Sequence, residues 1–187
     1  MRIRHYLAIL ALATISLDAA TAHAQSTASS GTGRPHTREG FWIGLGVGAG
    51  SLGCEDCSDR ETSWSGSFKL GGTINPRFLL GVESNGWYKS EDIAALTYGN
   101  LSAIAYFYPS ETSGFHLKGG LGLASLEAEV DGFGSESEIG TGAVLGLGYD
   151  ARVRQNFSLT PYMNFMAGSF DGGTANVVQF GLGFTWH

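Results

Sequence analysis

The stretch "FWIGLGVGAG" at residues 41–50 carries a glycine at every second position from Gly44 to Gly50, with Ile43, Leu45, Val47 and Ala49 interleaved. Successive side chains of a strand point to opposite faces, so as a strand this segment is greasy on one side and nearly bare on the other. The two-residue rhythm recurs to the end of the chain, and no segment shows sustained helical periodicity. It predicts eight strands, at 39–50, 62–74, 78–90, 94–108, 115–129, 137–151, 156–169 and 174–187. Each is long enough for a tilted membrane crossing, which takes about 9–11 residues. Turn chemistry separates them at Asn75-Pro76-Arg77, Pro109 to Gly114, Asp131-Gly132 and Asp171-Gly172-Gly173.

Sorting each strand by face gives one apolar set and one set of small and polar residues. Phe41, Ile43, Leu45 and Val47 oppose Trp42 and the glycines, while Trp64, Phe68, Leu70 and Ile74 oppose Ser65, Ser67, Lys69 and Gly71. Leu117, Leu121 and Leu123 oppose His116, Lys118, Gly120 and Gly122, and the last strand sets Phe180, Leu182, Phe184 and Trp186 against Gln179, Gly181 and Gly183. A soluble sandwich or barrel alternates too, with its apolar face inward. Glycine weakens a strand that merely faces water, yet it suits a narrow lumen in which neighbouring side chains need room. The expected arrangement is therefore inverted, with hydrocarbon outward and small or ionic groups toward the axis. The fourth strand is ambiguous on alternation alone.

The ends of the strands point the same way. An up-and-down meander brings one end of every strand to one rim, and Phe41, Phe78, Phe107, Phe115, Tyr149, Phe157 and Trp186 all fall there. That is the placing of an interfacial aromatic girdle, here on the periplasmic side. Setting Phe107 in the girdle turns Leu101, Ala103 and Ala105 outward and resolves the fourth strand. The expected fold is all-β, an eight-stranded antiparallel up-and-down transmembrane β-barrel over residues 39–187.

Before the barrel, Arg2 and Arg4 precede the apolar run "YLAILALATISL", and "AHA" precedes Gln25. A basic start, a short apolar stretch and small residues at Ala22 and Ala24 make a cleaved export signal over residues 1–24. Residues 25–38, "QSTASSGTGRPHTR", are small and polar and are expected to be a disordered periplasmic tail. The formal net charge of −6 gives nucleic acid no electrostatic footprint. Cys54 and Cys57 are the two cysteines, and in an exported chain they are expected to form a local disulfide. A redox pair would need a βαβ context, and a zinc site would need two further ligands.

The export signal, the eight alternating segments, "YFYP" before a turn and the terminal "FGLGFTWH" resemble small bacterial outer-membrane β-barrels, of the OmpX type and of the membrane domain of OmpA. The resemblance covers the whole segment after the signal and rests on pattern rather than on a residue signature. It implies residence in the outer membrane, contact with outer-membrane lipid, and recognition by the barrel-insertion machinery through the last strand. In that family the last strand ends in an aromatic, whereas here His187 follows Trp186. The sequence stops at the eighth strand, so no peptidoglycan-binding domain of the OmpA kind is expected.

An eight-stranded barrel is filled by its own side chains. The inward faces carry Lys69, Glu83, Lys89, His116, Lys118, Glu138, Asp150 and Arg152, which must pair or stay hydrated. Counting back from the turn at residues 75–77 sets Lys69 opposite Glu83, which predicts a lumenal salt bridge, with Lys118 as a partner to which Glu83 could switch in a gate. Tyr162 is expected to cover the space left by Gly146 or Gly148. "GLGVGA" and "GLGYDA" match a dinucleotide fingerprint only by alternation, since no helix follows either. His116 has no serine at a useful spacing, and no nucleophile, base and orienting group converge. No catalytic residue, cofactor or metal is therefore expected. The function expected is that of a small structural or interaction barrel with short loops, of which 51–61 and 130–136 could meet a surface partner. The alternatives are an outer-membrane lipid-modifying enzyme and a narrow channel or small-ligand carrier.

Overall fold

The computed structural model describes residues 38–187 apart from 56, 58, 131 and 133. The export signal at 1–24 and residues 25–37 of the tail lie outside the described residues. Arg38, the last residue assigned to the tail, is buried and belongs with the barrel.

The strands are β1 (Phe41–Cys54), β2 (Glu61–Asn75), β3 (Phe78–Glu91), β4 (Ala94–Phe107), β5 (Phe115–Val130), β6 (Gly134–Tyr149), β7 (Ala151–Arg154), β8 (Phe157–Phe170) and β9 (Gly173–Trp186). The four-residue β7 continues β6 beyond a break at Asp150 and meets β8 in the same antiparallel register. The barrel thus has eight walls, each strand antiparallel to the next, and β9 returns to pair with β1. Strands outrun the expected bounds at one end. The connections read as 51–61 and 130–136 shrink to 55–60 and 131–133, because β1, β2, β5 and β6 go on pairing there.

The register shows how the barrel closes. From Gly44 the partners run Lys69, Glu83, Ser102, Gly122, Gly142, Gly168 and Ala175, and then reach Cys54, ten residues further along β1. A shear of ten over eight strands sets a strand tilt of about 40°. That shift decides which side chains meet across the lumen.

The two faces are sorted as alternation predicts. Leu45, Leu121, Leu145 and Leu182 are 50%, 74%, 63% and 38% exposed on the outer face. They do not share an interior. At the rim that holds both ends of the barrel chain, the aromatics pair in register as Phe78 with Phe107, Phe115 with Tyr149 and Phe157 with Trp186. The rings of Phe78 and Phe107 lie 5.0 Å apart, and those of Phe157 and Trp186 lie 5.1 Å apart.

The inner face is less uniformly polar than the sequence suggested. Trp42, Leu79, Trp87, Tyr98, Ile104, Val144, Met166 and Val177 are buried inside. Glycines make space for the large rings. A side chain at Gly71 or Gly81 would start 2.6 or 2.8 Å from the Trp42 ring, and one at Gly181 would start 2.5 Å from Tyr162. Tyr162 therefore covers Gly181 and Gly46, not Gly146 or Gly148, which lie under Lys118 and His116. Register with β6 was a poor guide because the ring leans toward β9 and β1. Gly181→Leu is expected to cost about 1–3 kcal/mol through overpacking. Gly86→Ala, on the outer face with open space beyond its Cα, should stay within about 0.5 kcal/mol. Urea titrations of both variants in lipid vesicles would show the contrast.

Candidate functional site

Three layers fill the lumen. The charged layer sits toward the end where β1 begins and β9 finishes. There Glu83 of β3 is buried and forms an ion pair with Lys118 of β5, while Tyr106 Oη of β4 donates to Glu83 Oε2 at 2.7 Å. Lys69 is Glu83's register partner, yet it makes no ion pair with it. Its stem lies over Gly44, with Cε 2.6 Å from where a Cβ would stand, and its Nζ is 5.3 Å from the centre of the Tyr106 ring. The expected Lys69–Glu83 bridge is thus replaced by Glu83–Lys118. Neighbouring register brings Cα atoms together, but Lys118 reaches Glu83 from two strands away, across the tilted interior.

Beneath this pair, His116 is wedged between Tyr106 and Tyr108, with ring centres 5.2 and 5.1 Å away. Its Nδ1 lies 3.4 Å from the Gly114 carbonyl oxygen and 3.9 Å from Asp150 Oδ2. Asp150 accepts from Tyr108 Oη and from Thr160 Oγ1, each at 2.7 Å. Arg38 closes this end. Its guanidinium lies 3.5 Å over the Tyr108 ring and donates to the Ser113 carbonyl at 2.6 Å. Tyr106 and Tyr108 were legible in principle, since an outward Phe107 forces both inward. Nothing in the sequence marked Arg38.

The middle layer is made of amides. Asn164 Nδ2 donates to Gln179 Oε1 at 2.8 Å and to Asn85 Oδ1 at 3.4 Å, and Ser102 Oγ donates to Asn100 Oδ1 at 2.7 Å. The third layer, toward the hairpin loops, is apolar: Trp87, Tyr98, Met166, Val177 and Ala124. Trp87 Nε1 donates to the Gly50 carbonyl at 2.8 Å, which fixes the indole across the lumen. Between the layers there is little space. The cavity beside Glu83, Lys118 and His116 measures about 10 Å³, as does another beside Trp42 and Tyr108. Each is room for about one water.

A closed eight-stranded barrel, greasy outside and plugged inside, is matched by a family of known proteins. Residues 7–187 match the family described as outer membrane protein beta-barrel domain. The chain belongs to this family. Two solved structures share the barrel fold. The Neisserial surface protein NspA has a TM-score of 0.57 at 19% identity, covering 81% of this chain and 99% of that one. Ail, the attachment invasion locus protein of Yersinia pestis, in complex with the heparin analogue sucrose octasulfate, has a TM-score of 0.57 at 17% identity, covering 80% and 100%. No curated protein sequence matches.

At the loop end of this outer-membrane barrel, Cys54 and Cys57 are joined, with Cα atoms 5.1 Å apart. Three residues read as lumenal lie at the mouths instead. Lys89 pairs with Glu61 and with Glu91, the latter at 2.6 Å, on the rim of the loop end. Glu138 is half-buried on the same rim, where its Oε1 accepts the backbone N–H groups of Asp171 at 2.6 Å and Gly172 at 3.2 Å. Arg152 lies past β6 at the opposite end and donates to the Gln155 carbonyl at 2.9 Å. Inward parity sets a side chain's direction, and only its height along the strand tells lumen from mouth. Among the described residues no group of three or more metal-ligating side chains converges.

Proposed function

We propose that this chain is a non-conducting, non-enzymatic structural and interaction barrel of the bacterial outer membrane, with its two chain ends toward the periplasm. The single observation behind this reading is the stacked lumen, where ion pair, amide layer and apolar layer leave cavities of only about 10 Å³. A diffusing solute would have to displace buried side chains from all three. His116, beside the Glu83–Lys118 pair, is 2% exposed and held between two tyrosine rings, out of reach of a lipid substrate. Trp186, at the end of β9, is the residue offered to the insertion machinery.

The loop end is the face available to partners, and it is short. Its charges favour cations: Glu55, Glu91, Glu127, Glu129, Glu136 and Asp171 lie at that end, against Arg60 and Lys89. A heparin-like polyanion, such as the ligand of Ail, would meet like charge here. Planar-bilayer recording of the purified barrel is the test. Long recordings at high protein load are expected to stay at baseline, and reproducible conductance steps would overturn the reading.

A further inference from the structure

Above the apolar layer the barrel opens into a cavity of about 230 Å³ at the loop end. Leu126, Phe170 and Ala175 give it a hydrocarbon surface, with Glu55 and Glu138 among its lining residues. It adjoins an open recess on the inner face of the β5–β6 hairpin, which shares Leu126 and Glu138.

Both carboxylates are fixed in place. Glu138 is held through Oε1 by the two backbone N–H groups of the β8–β9 turn. Glu55 lies inside the disulfide loop, its N–H donates to the Thr174 carbonyl at 3.2 Å, and its Oε2 accepts from Thr174 Oγ1 at 3.3 Å. Among the described residues, Glu138 Oε2 and Glu55 Oε1 have no hydrogen-bond partner. The described residues thus engage one oxygen of each carboxylate.

We infer that this cavity binds a small organic ammonium ion with an apolar body. Two single carboxylate oxygens beside leucine and phenylalanine satisfy a primary ammonium, which has three donors, and its hydrocarbon part covers the apolar surface. A hard divalent cation fits poorly, since it needs about six oxygen ligands and gains nothing from hydrocarbon. The space takes one ring or short chain. Because Met166, Val177 and Trp87 close the lumen beneath, the site is a dead end, and its occupancy does not depend on whether the barrel conducts.

The probe is phenethylammonium, titrated against the full barrel in phosphatidylcholine nanodiscs, with methyl resonances of Leu126 and Ala175 as readout. The neutral isostere 2-phenylethanol is the comparator. Phenethylammonium is expected to shift both methyls with at least tenfold higher affinity than the alcohol. Glu138→Gln, whose amide oxygen can still accept from the Asp171 N–H, should reduce that advantage to threefold or less. Leu126→Trp, which fills the cavity, should abolish binding while retaining heat-modifiable gel mobility. Equal binding of amine and alcohol would overturn the inference. So would an unchanged preference in Glu138→Gln, or shifts confined to outward residues such as Leu121.

Discussion

Glu83→Ala is expected to destabilise the barrel by about 3–5 kcal/mol, the cost of leaving a buried charge without its partner. The variant strands Lys118, which is buried with Lys69 nearby, and it removes the acceptor of the Tyr106 hydroxyl. Removing both charges should be milder than the sum of the single losses, because Glu83→Ala with Lys118→Ala leaves no unpaired ion of that pair. Urea unfolding in vesicles of fixed lipid would yield the coupling energies. The coupling of Glu83 with Lys118 should exceed that of Glu83 with Lys69. The reverse order would mean that the register pair, not the cross-lumen pair, neutralises this carboxylate. Lys69 would then hold Glu83 through space despite lying over Gly44.

That distinction marks where sequence reading stops. Alternation has a period of two, so Leu45, Leu121 and Leu182 reveal their face from neighbours on one strand. Counting from the turn at Asn75-Pro76-Arg77 with Ile74 facing Phe78 sets Lys69 opposite Glu83, a register that holds although Asn75 pairs with Phe78 and a shift between Thr73 and Asn75 absorbs the difference. Contacts across the lumen depend on shear and tilt as well. Shear is a property of all eight pairings together, and an error of one residue in any turn would move Lys118 away from Glu83. Strand β4 was ambiguous for a related reason: Tyr98, Ile104 and Tyr106 are apolar and inward while Leu101 is apolar and outward. A lumen this narrow is partly a packed core, so polarity alone does not name its face. The mouth cavity was harder still. Leu126 and Phe170 look like ordinary strand residues, and Glu138 reads as one more inward charge until the β8–β9 turn is seen to bind it.

Leu121→Arg is expected to cost about 2–4 kcal/mol in a bilayer, and an arginine at Phe115 only about 0–1 kcal/mol. Both positions are on the outer face of β5, but Leu121 stands near the middle of the barrel's height while Phe115 begins the strand at the aromatic rim. A guanidinium at the rim reaches the headgroups directly, whereas one at mid-height must snorkel or drag water into hydrocarbon. Depth dependence of this kind is specific to lipid. On a face bathed by water, neither substitution would lose more than a few tenths of a kcal/mol. Leu145, 63% exposed on β6, gives an independent replicate at similar height. Repeating the pair in vesicles with a thinner hydrocarbon core should shrink the penalty at Leu121 and leave that at Phe115 nearly unchanged. Equal and small losses at Leu121 and Leu145 would show that the exposed hydrocarbon does not face a membrane, and the inward placement of the charges would then need another cause.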